Sequence, residues 1–176
     1  MASLQKNKVY IVSGPAGVGK TTTSLQVAQK LSKSAYISGD YVSHMHINGR
    51  KKPWESEEEH QLIWRNILSL TKNFLQSGTD VVIDFVTFPK DAEWLSNHLL
   101  NQNAEVKYIV LWTDSETLIA RDNQRENRTG ERSIILMNEF KESGIALNYI
   151  LETSKMNLSD LDQTLNEILG NPRFVY

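Results

Sequence analysis

Residues Gly14-Pro-Ala-Gly-Val-Gly19-Lys20-Thr21 match the pattern G-x-x-x-x-G-K-[ST] at every required position. The chemistry this pattern serves is phosphate binding. Glycines let backbone N–H groups converge on phosphate oxygens with no Cβ in the way. The first turn of the following helix adds its partial positive charge. Lys20 is placed to reach β- and γ-phosphates, and the Thr21 hydroxyl to ligate Mg²⁺. Residues 14–21, including Ala16, Gly17 and Val18, are therefore the expected ATP-binding loop.

Two aspartates extend the pattern. Asp84 ends the apolar run Val81-Val82-Ile83, and a carboxylate there is costly unless it is paired or near a cation. It is the expected Mg²⁺ partner, through water, with an Asp bonded to a loop backbone as the bland alternative. Asp40 follows a second strand in Ser38-Gly39-Asp40-Tyr41. It suits a carboxylate that orients an acceptor hydroxyl and takes its proton; the alternative is a Gly-Asp turn.

Arginines form the third group. Arg121, Arg125 and Arg128 fall at i, i+4 and i+7, one face of a helix. Arg125 and Arg128 are the candidates for clamping a transferring phosphoryl group, against a merely solvated face interleaved with Asp122 and Glu126. Arg132 lies beyond the Thr129-Gly130 break. Asp40, His44, Arg50 and Arg132 are the expected contacts of the acceptor. His44-Met45-His46 has the spacing of two metal ligands, but no third ligand is evident. Pro53-Trp54 reads either as the cover of a pocket or as core.

The elements that must position these residues alternate strand and helix. Strands are expected over 8–13, 35–38, 81–85, 106–112 and 149–152, the second stopped by Gly39-Asp40. Helices are expected over 19–31, with Leu25, Ala28 and Leu31 as its stripe, and from a Ser56–Glu59 capping box to Ser77-Gly78, with Ile63, Ile67, Leu70 and Phe74 facing inward. Further helices run from Pro89 to about Asn101, from a Thr113–Glu116 capping box through Arg125, and over 131–143. A last one is striped by Leu158, Leu161, Leu165 and Ile168. Continuous apolar strands separated by helices mean a parallel sheet covered on both faces.

The 176 residues fit one domain, 1–176, with 40% apolar and 23% charged residues. A net charge of −2 argues against nucleic acid as partner. The absence of cysteine excludes disulfides, thiolate metal sites and cysteine nucleophiles. With no spanning segment and a polar Met1–Lys8, a cytoplasmic protein without membrane contact is expected.

Gly14–Thr21, Gly39-Asp40, Asp84 and Arg121/Arg125/Arg128, followed by a final strand and Thr153-Ser154, resemble the small P-loop kinases of the nucleoside-monophosphate-kinase fold. That group includes shikimate kinase, gluconate kinase and chloramphenicol phosphotransferase. Gly39-Asp40 with the following His44 and later Pro53-Trp54 is similar to the gluconate-kinase pattern. The whole chain resembles bacterial proteins described as gluconate-kinase-like or AAA-family ATP-binding proteins. The resemblance implies a three-layer α/β/α P-loop NTPase with a five-stranded parallel sheet in order 2-3-1-4-5. It implies a lid at about 123–131, a substrate-binding segment at about 40–76, and Thr22 on the α-phosphate. It also implies that Arg121 and Thr153-Ser154-Lys155 flank adenine. Met45–Lys52 lacks the Lys-Met and Asp-containing pattern that gluconate kinases place there. The expected activity is ATP-dependent phosphoryl transfer to a small acceptor, a sugar acid being one class, by a monomer or homodimer. A nucleotide or antibiotic kinase, and a regulatory module that hydrolyses ATP slowly, are the alternatives. No Asn-Lys-x-Asp motif supports a switch GTPase.

Overall fold

The computed structural model describes residues 6–124, 129–154 and 160–176. Five parallel strands form one sheet in the order β2-β3-β1-β4-β5. They are β1 (Asn7–Ser13), β2 (Ser34–Ser38), β3 (Asp80–Asp84), β4 (Ala104–Trp112) and β5 (Ile150–Glu152). The helices are α1 (Lys20–Lys30), α2 (Gly39–His44), α3 (Glu57–Gln76), α4 (Pro89–Leu99), α5 (Ser115–Asn123), α6 (Glu131–Glu142) and α7 (Leu161–Gly170).

Period-two alternation divides the core. Val9, Ile11, Val81, Ile83, Tyr108 and Val110 join α3 and α4 on one face of the sheet. Tyr10, Val12, Val82, Ile109 and Leu111 join Val27 of α1 and Leu165 and Ile168 of α7 on the other. The central strands are buried on both faces, which is why they read as unbroken apolar runs. The expected layers and strand order are both present.

Several boundaries and faces differ from expectation. Gly39-Asp40 does not stop the chain in a turn. It opens α2, because Ser38 Oγ accepts a hydrogen bond from Tyr41 N at 3.3 Å and caps the helix. The cap of α5 is Asp114, not Thr113; its carboxylate accepts from Thr117 N at 2.7 Å and Thr117 Oγ1 at 2.8 Å. Those bonds hold the Asp114 carboxyl below the usual carboxylate range. Helix α5 spans Ser115–Asn123, and Arg125 lies outside the described residues. Ser56 does cap α3, accepting from Glu59 N at 3.3 Å, but Glu59 turns to His46 instead of closing the box. The buried stripe of α3 is Ile63, Trp64, Ile67, Leu68, Thr71 and Leu75, while Leu70 and Phe74 are exposed. On α1 the buried positions are Thr23, Ser24 and Val27, and Leu25 faces outward. Leu158 lies outside the described residues.

Candidate active site

The phosphate-pattern loop sits where the sheet's central strand meets α1. Gly14 takes φ +133°, and a Cβ there would meet the Leu111 carbonyl oxygen of the adjacent strand at 2.4 Å. Neither the dihedral nor the space admits another residue. Gly17 and Gly19 also have positive φ, and Gly19 caps α1 with no side chain in the way. Val18 points back into the core, 2% exposed, and anchors the loop. Lys20 Nζ donates to the carbonyls of Gly14 (3.0 Å) and Pro15 (2.9 Å), so the ammonium lies over its own loop.

Below the loop, Thr21 Oγ1 donates to Asp84 Oδ2 at 2.7 Å. The expected metal pair is thus in contact although 63 residues separate its members. A hydroxyl and a carboxylate are hard oxygen donors of the kind Mg²⁺ takes alongside phosphate and water, so these residues fit the ion. Asp84 is only 6% exposed. A third group, which the sequence reading missed, completes the cluster: Tyr36 OH donates to the same Oδ2 at 2.7 Å. Burial, and then the bond to Asp84, raise the Tyr36 pKa well above that of a free phenol.

A cleft of about 770 Å³ opens from the loop. Ala16, Gly17, Gly19, Lys20, Thr21, Thr22 and Asp84 line it. Asp40, Pro53, Trp54, His60, Phe85, Phe88 and Arg132 belong to the same lining. Asp40, itself exposed, lines the cleft from the first turn of α2. That turn is held close to β3, because a Cβ on Gly39 would lie 2.2 Å from the Phe85 ring. Arg132 stacks its guanidinium 4.8 Å from the Trp54 ring centroid and pairs with Glu139 at 3.3 Å. Trp54 is 56% exposed. It belongs to the cleft wall and not to the core.

Arg121, expected beside adenine together with the loop Thr153-Ser154-Lys155, joins that loop to the phosphate loop. It donates to Val18 O (3.4 Å), Thr153 Oγ1 (3.5 Å) and Thr153 O (3.0 Å). Thr153 is buried and donates its hydroxyl to Trp112 O at 2.9 Å. Ser154 binds its neighbour Glu152 through both its N–H, at 3.2 Å, and its hydroxyl.

Two expected acceptor contacts do not line the cleft. The His44 ring folds back on its own helix, with Nδ1 donating to Asp40 O at 2.6 Å. Arg50 is held by Ser43, Nε to its carbonyl at 3.0 Å and Nη2 to its hydroxyl at 2.9 Å. The His44/His46 pair also separates: His46 Nδ1 bonds the buried Glu59 at 2.9 Å and holds that carboxyl below its ordinary range. Among the described residues no group of three potential His, Cys, Asp or Glu metal ligands occurs. Arg125, Arg128 and Lys155 lie outside the described residues.

Other cleft residues were not singled out in the sequence. His60, whose Nε2 meets the buried Asp91 at 2.9 Å, and Lys90 are two of them. Neither sits in a motif, so no local signal could have found them.

The sheet order and the loop-to-helix junction define the P-loop kinase fold. Within it, the chain belongs to the AAA domain family, whose sequence pattern matches residues 9–143. A sugar kinase of Janibacter sp. HTCC2649 shares the fold with a TM-score of 0.67 at 15% identity, covering 96% of this chain and 97% of that one. A gluconokinase of Sinorhizobium meliloti 1021 does so with a TM-score of 0.65 at 12% identity, covering 94% and 93%. In sequence, the tRNA dimethylallyltransferase of Fusobacterium nucleatum is 29% identical over 106 residues, 60% of this chain and 31% of that protein. The chain spans less than a third of the length of the curated relatives it matches. No helix among the described residues is long and apolar enough to cross a membrane.

Proposed function

We propose that the protein transfers the γ-phosphoryl group of ATP to a hydroxyl of a small acceptor, with sugar acids as one candidate class. The observation that carries this reading is that the Thr21–Asp84 pair and Asp40 open onto one cleft. ATP lies along residues 14–22, with Lys20 on the β- and γ-phosphates and with Arg121, Thr153 and Ser154 beside the base. Thr21 and, through water, Asp84 hold Mg²⁺, which neutralises phosphate charge when bound. The acceptor sits against Asp40 and Arg132. Its hydroxyl oxygen attacks the γ-phosphorus, the bond from that phosphorus to the β–γ bridging oxygen breaks, and ADP leaves. The hydroxyl proton passes to Asp40, whose carboxylate is exposed to the cleft. Arg125 and Arg128 belong to a lid at about 123–131 that covers the phosphates. The whole chain acts as one cytoplasmic catalytic unit.

The test is a thermal-shift screen of hydroxyl compounds in the presence of Mg²⁺ and a non-hydrolysable ATP analogue, since a ligand of the native state raises the melting point. Single-turnover transfer to the best acceptor follows. Asp40→Asn is expected to slow transfer by about 10²–10⁴-fold while leaving ATP affinity unchanged. A wild-type protein that hydrolyses ATP slowly and phosphorylates no compound would replace this reading with that of a regulatory nucleotide-binding module.

A further inference from the structure

We infer that Tyr36 is a positioning residue for the metal: its hydroxyl aims the Asp84 carboxylate and commits it to Mg²⁺. This rests on the reading of Thr21 and Asp84 as the metal pair. The placement follows from strand alternation. In the β2–β3 register Tyr36 lies opposite Val82, and Ser38 opposite Asp84. Ile37 is buried in the core on the α3 and α4 face, so by alternation Tyr36 and Ser38 point the other way, to the face that carries α1. Thr21, in the first turn of α1, and Tyr36 therefore reach Asp84 from two different elements.

A half-buried strand position of this kind needs only an aromatic or β-branched side chain. Phenylalanine would fill it. What tyrosine adds is a hydroxyl that must find an acceptor when it is taken from water, and the acceptor it finds is Asp84 Oδ2 at 2.7 Å. That oxygen already accepts from Thr21 Oγ1 at 2.7 Å. Two donors on one oxygen fix the carboxylate plane. Oδ1 has no hydrogen-bond partner among the described residues. The carboxylate is thus oriented by two hydroxyls on one side and has lone pairs to offer on the other. Removing a partner that orients a carboxylate at a metal site typically costs about 10–100-fold in metal affinity, and Asp84, acting through water, is such a carboxylate.

The experiment uses the full chain, ADP, and Mn²⁺ as the metal probe, with free Mn²⁺ followed by electron paramagnetic resonance. Tyr36→Phe is expected to weaken Mn²⁺ binding to the ADP complex by about tenfold. Metal-free ADP affinity and the melting temperature should stay at wild-type values. With ATP as substrate, the Mg²⁺ concentration for half-maximal turnover should rise, and turnover at saturating Mg²⁺ should hold. Mn²⁺ affinity within about twofold of wild type, in a variant that still binds ADP, would overturn the inference. So would a parallel loss of metal-free ADP binding and melting temperature, which marks a merely structural tyrosine. If ADP does not tighten Mn²⁺ binding to the wild type, the metal pair itself is misread, a failure distinct from that of Tyr36 alone.

Discussion

Lys20 and Asp84 are charged groups held among polar atoms, and each is defined by what touches it. Lys20 Nζ donates to two loop carbonyls, 3.0 and 2.9 Å away, and the residue is half-buried at the start of α1. Lys20→Ala is therefore expected to keep the wild-type melting temperature and to lose most of its affinity for ATP, because the principal cation on the β/γ-phosphates is gone. Calorimetric titration of a non-hydrolysable analogue, alongside a thermal melt, reads both effects. A folded variant with unchanged affinity contradicts the phosphate-loop assignment. At this scale the sequence was most legible where a motif encodes contacts within a few residues, as in Gly14–Thr21. It was least legible for Tyr36, whose partner is 48 positions away.

At the level of elements, the junction between α5 and α6 is tied by one buried carboxylate. Asp122 Oδ1 accepts from Thr129 N (2.8 Å) and Thr129 Oγ1 (2.6 Å), and Oδ2 accepts from Gly130 N (2.8 Å). This places the start of α6, and hence Arg132, over the cleft. In the sequence Asp122 looked like one charge of a solvated face, yet it is 4% exposed. Asp122→Ala removes the acceptor for two backbone N–H groups. It is expected to cost about 1–3 kcal/mol, read from urea denaturation, and to lower turnover more than analogue affinity. The stripe of α3 shows the complementary problem. Ile63 and Ile67 are buried as expected, but the next turn buries Thr71 and Leu75 instead of Leu70 and Phe74. Hydrophobic spacing shows that a helix has an inner face. The sheet and the neighbouring helices decide where that face is centred.

For the molecule as a whole, the end of α7 is joined to the sheet by Lys107 of β4. This lysine is 2% exposed, and its Nζ donates to the carbonyls of Leu169 (2.8 Å), Asn171 (3.3 Å) and Ile168 (3.4 Å). The ammonium satisfies carbonyls that a helix leaves unpaired at its carboxyl end and complements the dipole there. Burial pushes its pKa below that of a free lysine. Lys107→Met preserves the stem but leaves those carbonyls unpaired. A loss of about 1–3 kcal/mol is expected, measured as a lower urea midpoint with unchanged slope. Affinity for the ATP analogue should not change, since Lys107 is not part of the cleft lining. If the variant melts like wild type, the lysine contributes no net stability.

The layered α/β fold and the phosphate loop were determined by the sequence alone, because both are local. Apolar runs and helical spacing act over a few residues, and so do the glycine dihedrals at 14 and 19. The strand order followed from the resemblance, and the place of Asp40 and Asp84 at one edge of the sheet from their positions just after or at the end of apolar strands; both are present. What needed the tertiary structure was every choice between equivalent polar groups. Of the candidate acceptor contacts, Asp40 and Arg132 reach the cleft, while His44 and Arg50 are taken up by Asp40 O and Ser43. Trp54 stands in the cleft wall beneath Arg132, and Tyr36 meets Asp84 across the sheet. A polar side chain goes to whichever partner the packed fold brings within 3 Å or so, and that partner is fixed only once distant segments have been brought together.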